Sequence, residues 1–201
     1  MMPENHHAWV TGRNNLILFL MLLFILAGCR QDHTPKPRGF FRIDLPEKEY
    51  VRFNTHYPYS FELPVYANVI PDTRPSSEPF WIDIEFPDFK GRIHISYKRV
   101  NDNLPEYLED SRAFVVKHIP KAEAINDSLI YRPEDGVYGL IYYIEGSRAA
   151  TACQFFVTDS LSHFLRGALY FDVTPNNDSL EPVIRYIEAD IRHLLKTFQW
   201  K

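Results

Sequence analysis

The sequence reads WIDIEF at residues 81–86 and RIHISYK at residues 92–98, and both stretches alternate between apolar and polar side chains. A period of two is typical of a β-strand with one buried face. The residues between them, PDFKG at 87–91, favour a turn, so the two stretches predict an antiparallel hairpin. Alternation places Asp83, Glu85 and His94 on the polar face, where we expect ordinary solvated side chains.

The period changes to that of a helix in two later segments, residues 103–119 and 178–198. Asn103 with Glu106, and Asp178 with Glu181, have the spacing of helix N-terminal caps. Each segment carries an apolar stripe at helical spacing, which predicts an amphipathic helix packed on a core. The stripes consist of Leu104, Tyr107, Leu108, Val115 and Ile119 in the first segment, and Ile184, Ile187, Ile191, Leu194, Leu195 and Phe198 in the second.

Four β-prone segments joined by short turns lie between the helices, which predicts a meander of antiparallel strands. They cover residues 122–131, 137–145, 149–158 and 163–173, and two shorter strand candidates precede the hairpin at 39–45 and 59–65. We therefore predict an α+β fold, a single mostly antiparallel sheet packed by amphipathic helices. This order of elements resembles that of PsbP-like and Mog1-like domains, an analogy that says nothing about function.

The N-terminus has the layout of an export signal. Arg13 precedes an apolar run at residues 16–26, and the run ends in Leu26-Ala27-Gly28-Cys29. About twenty apolar residues are needed to span a bilayer, so the run is too short for a transmembrane anchor. Leu-Ala-Gly-Cys resembles the bacterial lipobox, which implies cleavage before Cys29 and attachment of lipid to it, with fatty acyl chains such as palmitate. The alternative is a free signal peptide followed by a chance cysteine.

These patterns divide the chain into three parts: a lipoprotein signal peptide at residues 1–28, a lipidated tether at 29–38, and one globular α+β domain at 39–201. The net charge of −4 makes nucleic acid an unsuitable partner. Cys29 and Cys153 are the two cysteines of the sequence, and lipid on the first leaves no pair for a disulfide. Cys153 lies in an apolar run, so we expect a buried and inert thiol, with a reactive thiol as the alternative.

Asp159, Ser160 and His163 lie close together and invite comparison with a hydrolase triad. All three fall in or beside one short turn, and no Gly-x-Ser-x-Gly elbow is present. Histidine and cysteine pairs at metal-ligand spacing and glycine-rich phosphate loops are also missing from the sequence. We therefore expect no catalytic, cofactor-binding or metal-binding residues, and we predict that Asp159, Ser160 and His163 form an interaction surface on a rigid scaffold. Ordinary turn chemistry is the alternative.

The order and spacing of several motifs resemble the gliding motility lipoprotein GldD family of Bacteroidetes. The motifs are the lipobox and residues 35–40, 42–46, 81–87, 117–118 with 121–122, 154–160, 163–171 and 175–179. The resemblance implies a cell-envelope lipoprotein that faces the periplasm and serves gliding and the linked type IX secretion, with other machinery proteins as partners. It implies no catalytic residues, so we expect a non-enzymatic docking component. The alternative is a lipid-tethered hydrolase acting on peptidoglycan or glycan, and the choice between inner and outer membrane stays open.

The lipid assignment predicts that Cys29→Ser abolishes labelling by an alkyne analogue of palmitate, because serine lacks the thiol that is acylated. Cys153→Ser is the matched control and should label like the parent. The measurement is in-gel detection of the labelled protein from cells. Equal labelling of the Cys29→Ser protein would contradict the assignment.

Overall fold

The computed structural model describes residues 43–201, which belong to the compact unit Phe40–Lys201. The predicted signal peptide, the tether and Cys29 lie outside the described residues. None of the helices within residues 43–201 is long and apolar enough to cross a membrane.

A seven-stranded antiparallel sheet forms the centre of the fold. Numbered along the chain, its strands are β3 Asn68–Pro71, β4 Ile82–Phe86, β5 Gly91–Arg99, β6 Ala124–Arg132, β7 Val137–Glu145, β8 Thr151–Thr158 and β9 His163–Phe171. Their order across the sheet is β3-β4-β5-β9-β8-β7-β6. The predicted hairpin is confirmed as β4 and β5, with Ile84 opposite Ile93. The predicted meander is confirmed as β6 to β9.

Within residues 43–201, two α-helices cover this sheet, one on each face. Helix α2, Asn177–Thr197, packs on the face that carries Phe155 and Leu165 and forms the main core. Helix α1, Leu104–Val116, lies against Phe156 and Phe164 on the opposite face. The α+β fold class and the amphipathic character of both helices agree with the sequence.

The predicted helix caps are wrong, because neither helix has a side-chain cap among its N-terminal hydrogen bonds. The Oδ1 of Asn103 instead accepts a hydrogen bond from the backbone N–H of Asn101 at 2.9 Å. Helix α2 begins one residue before the predicted cap, and the side-chain amide of Asn177 donates to the carbonyls of Gly146 and Ala149. These side chains tie the helix starts to neighbouring loops.

A second, three-stranded sheet was not predicted. It consists of β1 Tyr50–Phe53, β2 Tyr59–Pro64 and β10 Gln199–Trp200, with β2 in the centre. The strand predicted at residues 39–45 is wrong over residues 43–45, which have no regular structure. The real first strand is only four residues long, and β10 is two residues long and directly follows a helix, so neither shows a clear period of two.

A buried carboxylate joins the segment around β1 and β2 to helix α2. Asp190, 2% exposed, accepts hydrogen bonds from Lys48 Nζ at 2.6 Å, Tyr50 Oη at 2.9 Å and Tyr66 Oη at 2.6 Å. Burial and the nearby carboxylate raise the pKa of both tyrosines, so their hydroxyls remain donors. A buried charge with three donors avoids the cost of an unpaired one.

The expectation that Asp83 and His94 are ordinary solvated side chains is wrong. Asp83 is 5% exposed, and its Oδ1 lies 2.5 Å from Nδ1 of His94. Arg92 lies between Asp83 and Glu85 and forms ion pairs with both. The polar face of the β4–β5 hairpin is therefore a connected network.

The close packing around Gly167 at the centre of the sheet predicts that Gly167→Ala destabilises the protein. An added Cβ at this position would overlap the ring of Phe155, which is 1% exposed and has no room to move away. We expect a loss of about 1–3 kcal/mol in the free energy of unfolding, measured by urea denaturation. Adding Phe155→Leu to the Gly167→Ala protein should recover part of this loss. A Gly167→Ala protein as stable as the parent would contradict this account of the packing.

Candidate functional site

The turn between β8 and β9 is held by its own side chains. The Oδ1 of Asp159 accepts hydrogen bonds from the backbone N–H groups of Leu161, Ser162 and His163 at 2.8–3.0 Å. Thr158 Oγ1 accepts the N–H of Ser160 at 3.0 Å and donates to the carbonyl of His163 at 2.6 Å. Ser160 adopts a left-handed backbone with φ of 70°. The turn is therefore a fixed structure rather than a loose connection.

The electrostatics of Asp159 follow from this geometry. Partial burial would by itself raise the pKa of the carboxyl, but the three backbone N–H donors stabilise the charged form and bring the pKa below its ordinary value. Asp159 thus uses its charge to hold the turn.

His163 faces the core side of β9 and contacts aromatic residues. Its Nδ1 lies 2.7 Å from the hydroxyl of Tyr97, and its ring stacks on Trp200 with a centroid separation of 5.1 Å. Burial raises the pKa of Tyr97. The indole N–H of Trp200 is buried without a hydrogen-bond partner among residues 43–201.

Asp159, Ser160 and His163 lie in one turn, as the sequence indicates, but their hydrogen bonds are not those of a catalytic triad. Asp159 bonds to backbone N–H groups, and within the described part of the chain no hydrogen bond joins Ser160 to His163. A triad requires the imidazole to bond to both the serine and the carboxylate. The turn instead presents its polar groups and the side chain of Leu161.

Leu161 is a feature that the sequence analysis missed. It lies at the tip of the turn and is 79% exposed, the highest value among the exposed large hydrophobic residues of the described chain. A single exposed leucine is common on protein surfaces, but one held outward on a rigid tip presents a fixed apolar contact.

A cleft of about 720 Å³ lies beside the turn and is lined by His163, Tyr97 and Phe80, among others. Phe80 has φ of 69°, a left-handed conformation that is rare for a bulky residue. Its carbonyl accepts a hydrogen bond from Tyr59 Oη at 2.6 Å, and its ring meets that of Tyr97 edge to face. Strain of this kind costs about 1–3 kcal/mol and tends to occur at functional sites.

The charged groups of the cleft are mainly basic. Arg99 and Lys201 line it, whereas the carboxylate of Glu78 is paired with Lys98. Tyr57 and Phe80 contribute aromatic rings to the wall. Aromatic rings with basic side chains suit contacts to a partner that offers both apolar and anionic groups.

The structure also describes the thiol of Cys153 and the grouping of side chains that could bind a metal ion. Cys153 is buried with 0% exposure, and burial raises the pKa of its thiol well above the ordinary value, which agrees with an inert side chain. Across residues 43–201, no three His, Cys, Asp or Glu side chains are grouped so that they could hold a metal ion.

The Asp159 contacts predict a pH-dependent loss of stability in Asp159→Asn. Removing the charge from a carboxylate with three N–H donors should cost about 1–3 kcal/mol at neutral pH, measured by urea unfolding. A lowered folded-state pKa contributes stability above the unfolded value of about 3.9, and this contribution disappears as the pH falls through the folded pKa. The difference between parent and Asp159→Asn should therefore vanish in acid. A difference that is constant with pH would show that the charge is not its source.

The sequence matches the family described as Gliding motility lipoprotein GldD over residues 30–200, which is most of the chain. The structure is similar to the solution structure of cyanobacterial PsbP (CyanoP) from Synechocystis sp. PCC 6803, with a TM-score of 0.43 and 11% sequence identity, over 80% of this chain and 98% of that one. A search of curated proteins finds no match. The chain belongs to the gliding motility lipoprotein GldD family.

Proposed function

We propose that this lipoprotein is a non-catalytic component of the gliding motility and type IX secretion machinery, anchored by lipid on Cys29 and docked to another envelope protein. We place the docking surface at the tip of the β8–β9 turn, residues 159–163, and the adjoining cleft. Asp159 fixes the turn, Ser160 and Leu161 face outward, and His163 connects the turn to the cleft. The domain faces the periplasm in this proposal.

The observation that carries the proposal is the exposed Leu161 on a turn held by five hydrogen bonds. A rigid apolar contact loses little conformational entropy when a partner covers it, and this lowers the cost of binding. The aromatic and basic cleft extends the same surface, and aromatic residues and arginine are enriched at protein interfaces.

The hydrolase alternative finds less support at this site. The carboxylate of Asp159 is occupied by backbone donors, and the imidazole of His163 bonds to a tyrosine hydroxyl. Ser160 therefore has no base in hydrogen-bond reach among the described residues, as an activated nucleophile requires. A docking role does not require a hydrogen-bonded pair of nucleophile and base.

Leu161→Ser tests the docking surface, with Leu129→Ser as the matched control. Both leucines are highly exposed, 79% and 72%, but Leu129 lies on the edge strand β6. Each change should alter the free energy of unfolding by no more than about 0.5 kcal/mol, because neither side chain is buried. We expect Leu161→Ser to reduce gliding and adhesin secretion at normal protein levels, and Leu129→Ser to behave like the parent.

A photo-cross-linking amino acid placed at position 161, and in a separate strain at position 129, gives the direct measurement. The proposal predicts a specific cross-linked envelope protein from position 161 alone. If Leu161→Ser cells glide and secrete normally and position 161 gives no specific product, the docking surface is elsewhere. His163→Ala is a poorer probe, because its ring packs on Trp200 and its loss changes the fold locally.

A further inference from the structure

A second pocket lies between helix α1 and the polar face of strands β5 and β9. Its volume is about 390 Å³, within the range of about 300–1,000 Å³ that is usual for small-molecule sites. The side chains of Trp81, Tyr107, Phe114 and Tyr170 supply most of its apolar wall. Aromatic walls of this kind are suited to a compact organic body rather than to an inorganic ion alone.

Arg166 lines the pocket and forms no ion pair with a carboxylate of residues 43–201, although the carboxylate of Asp110 lines the same pocket. Its guanidinium stacks on the ring of Phe114 at 4.3 Å, donates a hydrogen bond to Gln154 Oε1 at 2.7 Å and interacts with the side chain of Tyr170. No carboxylate among residues 43–201 forms an ion pair with it, and burial lowers its pKa. A desolvated cation without an ion-pair partner is costly, and an anionic ligand would reduce that cost.

Two buried polar atoms, one in this pocket and one on the residue that accepts a hydrogen bond from Arg166, have no hydrogen-bond partner among residues 43–201. Ser111 lines the pocket from helix α1, is 3% exposed, and its Oγ makes no hydrogen bond to the described residues. Gln154, 2% exposed, uses its Oε1 for Arg166 and leaves its Nε2 unpaired. Buried polar atoms in folded proteins are normally satisfied, so an unpaired hydroxyl in the pocket and an unpaired amide on the residue that bonds to Arg166 favour a polar ligand here.

The charges around the pocket limit what that partner can be. Arg74 is paired with Asp72 at 2.5 Å, and Lys98 is paired with Glu78. Asp110 lines the pocket as a negative charge and opposes a multiply charged ligand. One unpaired guanidinium therefore favours a single negative charge, and the planar fork of arginine matches a carboxylate.

We propose that the pocket between α1 and the sheet binds a small organic monocarboxylate, whose carboxylate contacts Arg166 and Ser111 and whose body lies against the aromatic wall. The ligand replaces the missing counter-charge of the guanidinium and gives the Ser111 hydroxyl an acceptor. This site is separate from the docking turn and does not depend on the function proposed for it.

Titration of the full-length protein in a non-ionic detergent tests the proposal. The probes are benzoate and glucuronate, which carry a carboxylate on an apolar ring and on a sugar ring, with benzamide and inorganic phosphate as comparisons. We expect at least one carboxylate to bind about tenfold or more tightly than benzamide and phosphate, because the charge and the planar fork both contribute. Which of the two binds identifies the body of the ligand. Binding of neither carboxylate, or equal binding of phosphate, would overturn the proposal.

Two substitutions then locate the bound carboxylate. Arg166→Lys keeps the charge but loses the planar fork, and we expect binding about tenfold weaker. Ser111→Ala removes a hydroxyl that has no hydrogen-bond partner among residues 43–201, so we expect weaker binding without loss of thermal stability. Arg112→Gln is the control on the same helix, because Arg112 pairs with Glu109 on the exposed side and should not affect binding. Unchanged affinity in Arg166→Lys and Ser111→Ala would overturn the assignment even if a probe binds.

Discussion

Strand β8 is buried along its whole length, and the rest of the fold follows from that burial. All eight of its residues, Thr151–Thr158, are buried, so side chains on both faces of the strand need a cover. Helix α2 covers the face with Phe155, and helix α1 covers the face with Phe156. Space at the centre is so limited that the ring of Phe155 occupies the place where a side chain at position 167 would lie. A sheet with such a strand in its interior is stable only as the middle of three layers.

The same sheet builds the proposed docking surface from distant parts of the chain. Strands β5 and β9 pair with Arg99 opposite His163 and Tyr97 opposite Leu165. Tyr97 and His163 are therefore diagonal neighbours on one face, and their side chains meet although 66 residues separate them. A slip of one residue would place them on opposite faces. The register of a structural strand pair thus positions the residues that face the cleft.

Much of the fold could be predicted because alternation and helical periodicity are local signals. The hairpin, the meander and both helices produce such signals over six or more residues at a time. The small sheet does not, because β1 and β10 are short and are held in place by partners far away in the sequence. The prediction of the helix caps was wrong for a related reason. Asn103 has a suitable capping side chain at the N-cap position, but its Oδ1 accepts a hydrogen bond from the backbone N–H of Asn101 instead.

The candidate site likewise combines features that local sequence predicts with features that arise from contacts between distant residues. The turn chemistry of Asp159 is local, and the sequence indicates it. The contacts of His163 with Tyr97 and Trp200, and the strain at Phe80, arise from tertiary structure and leave no local pattern. Asp83 illustrates a further limit, since alternation shows which face a side chain is on but not whether another element covers that face.

The two faces of the sheet therefore differ in what they bury. Under α2 most of the contacts are apolar and make up most of the core, and the buried carboxylate of Asp190 is paired with Lys48. Under and beside α1 lie Asp83 with His94 and Arg166 with Gln154, groups whose burial costs desolvation. Apolar residues of similar volume usually serve stability at least as well as buried ionic groups do. Stability alone therefore does not explain the polar side chains beneath α1, and the carboxylate proposed for the pocket would give Arg166 an ion-pair partner.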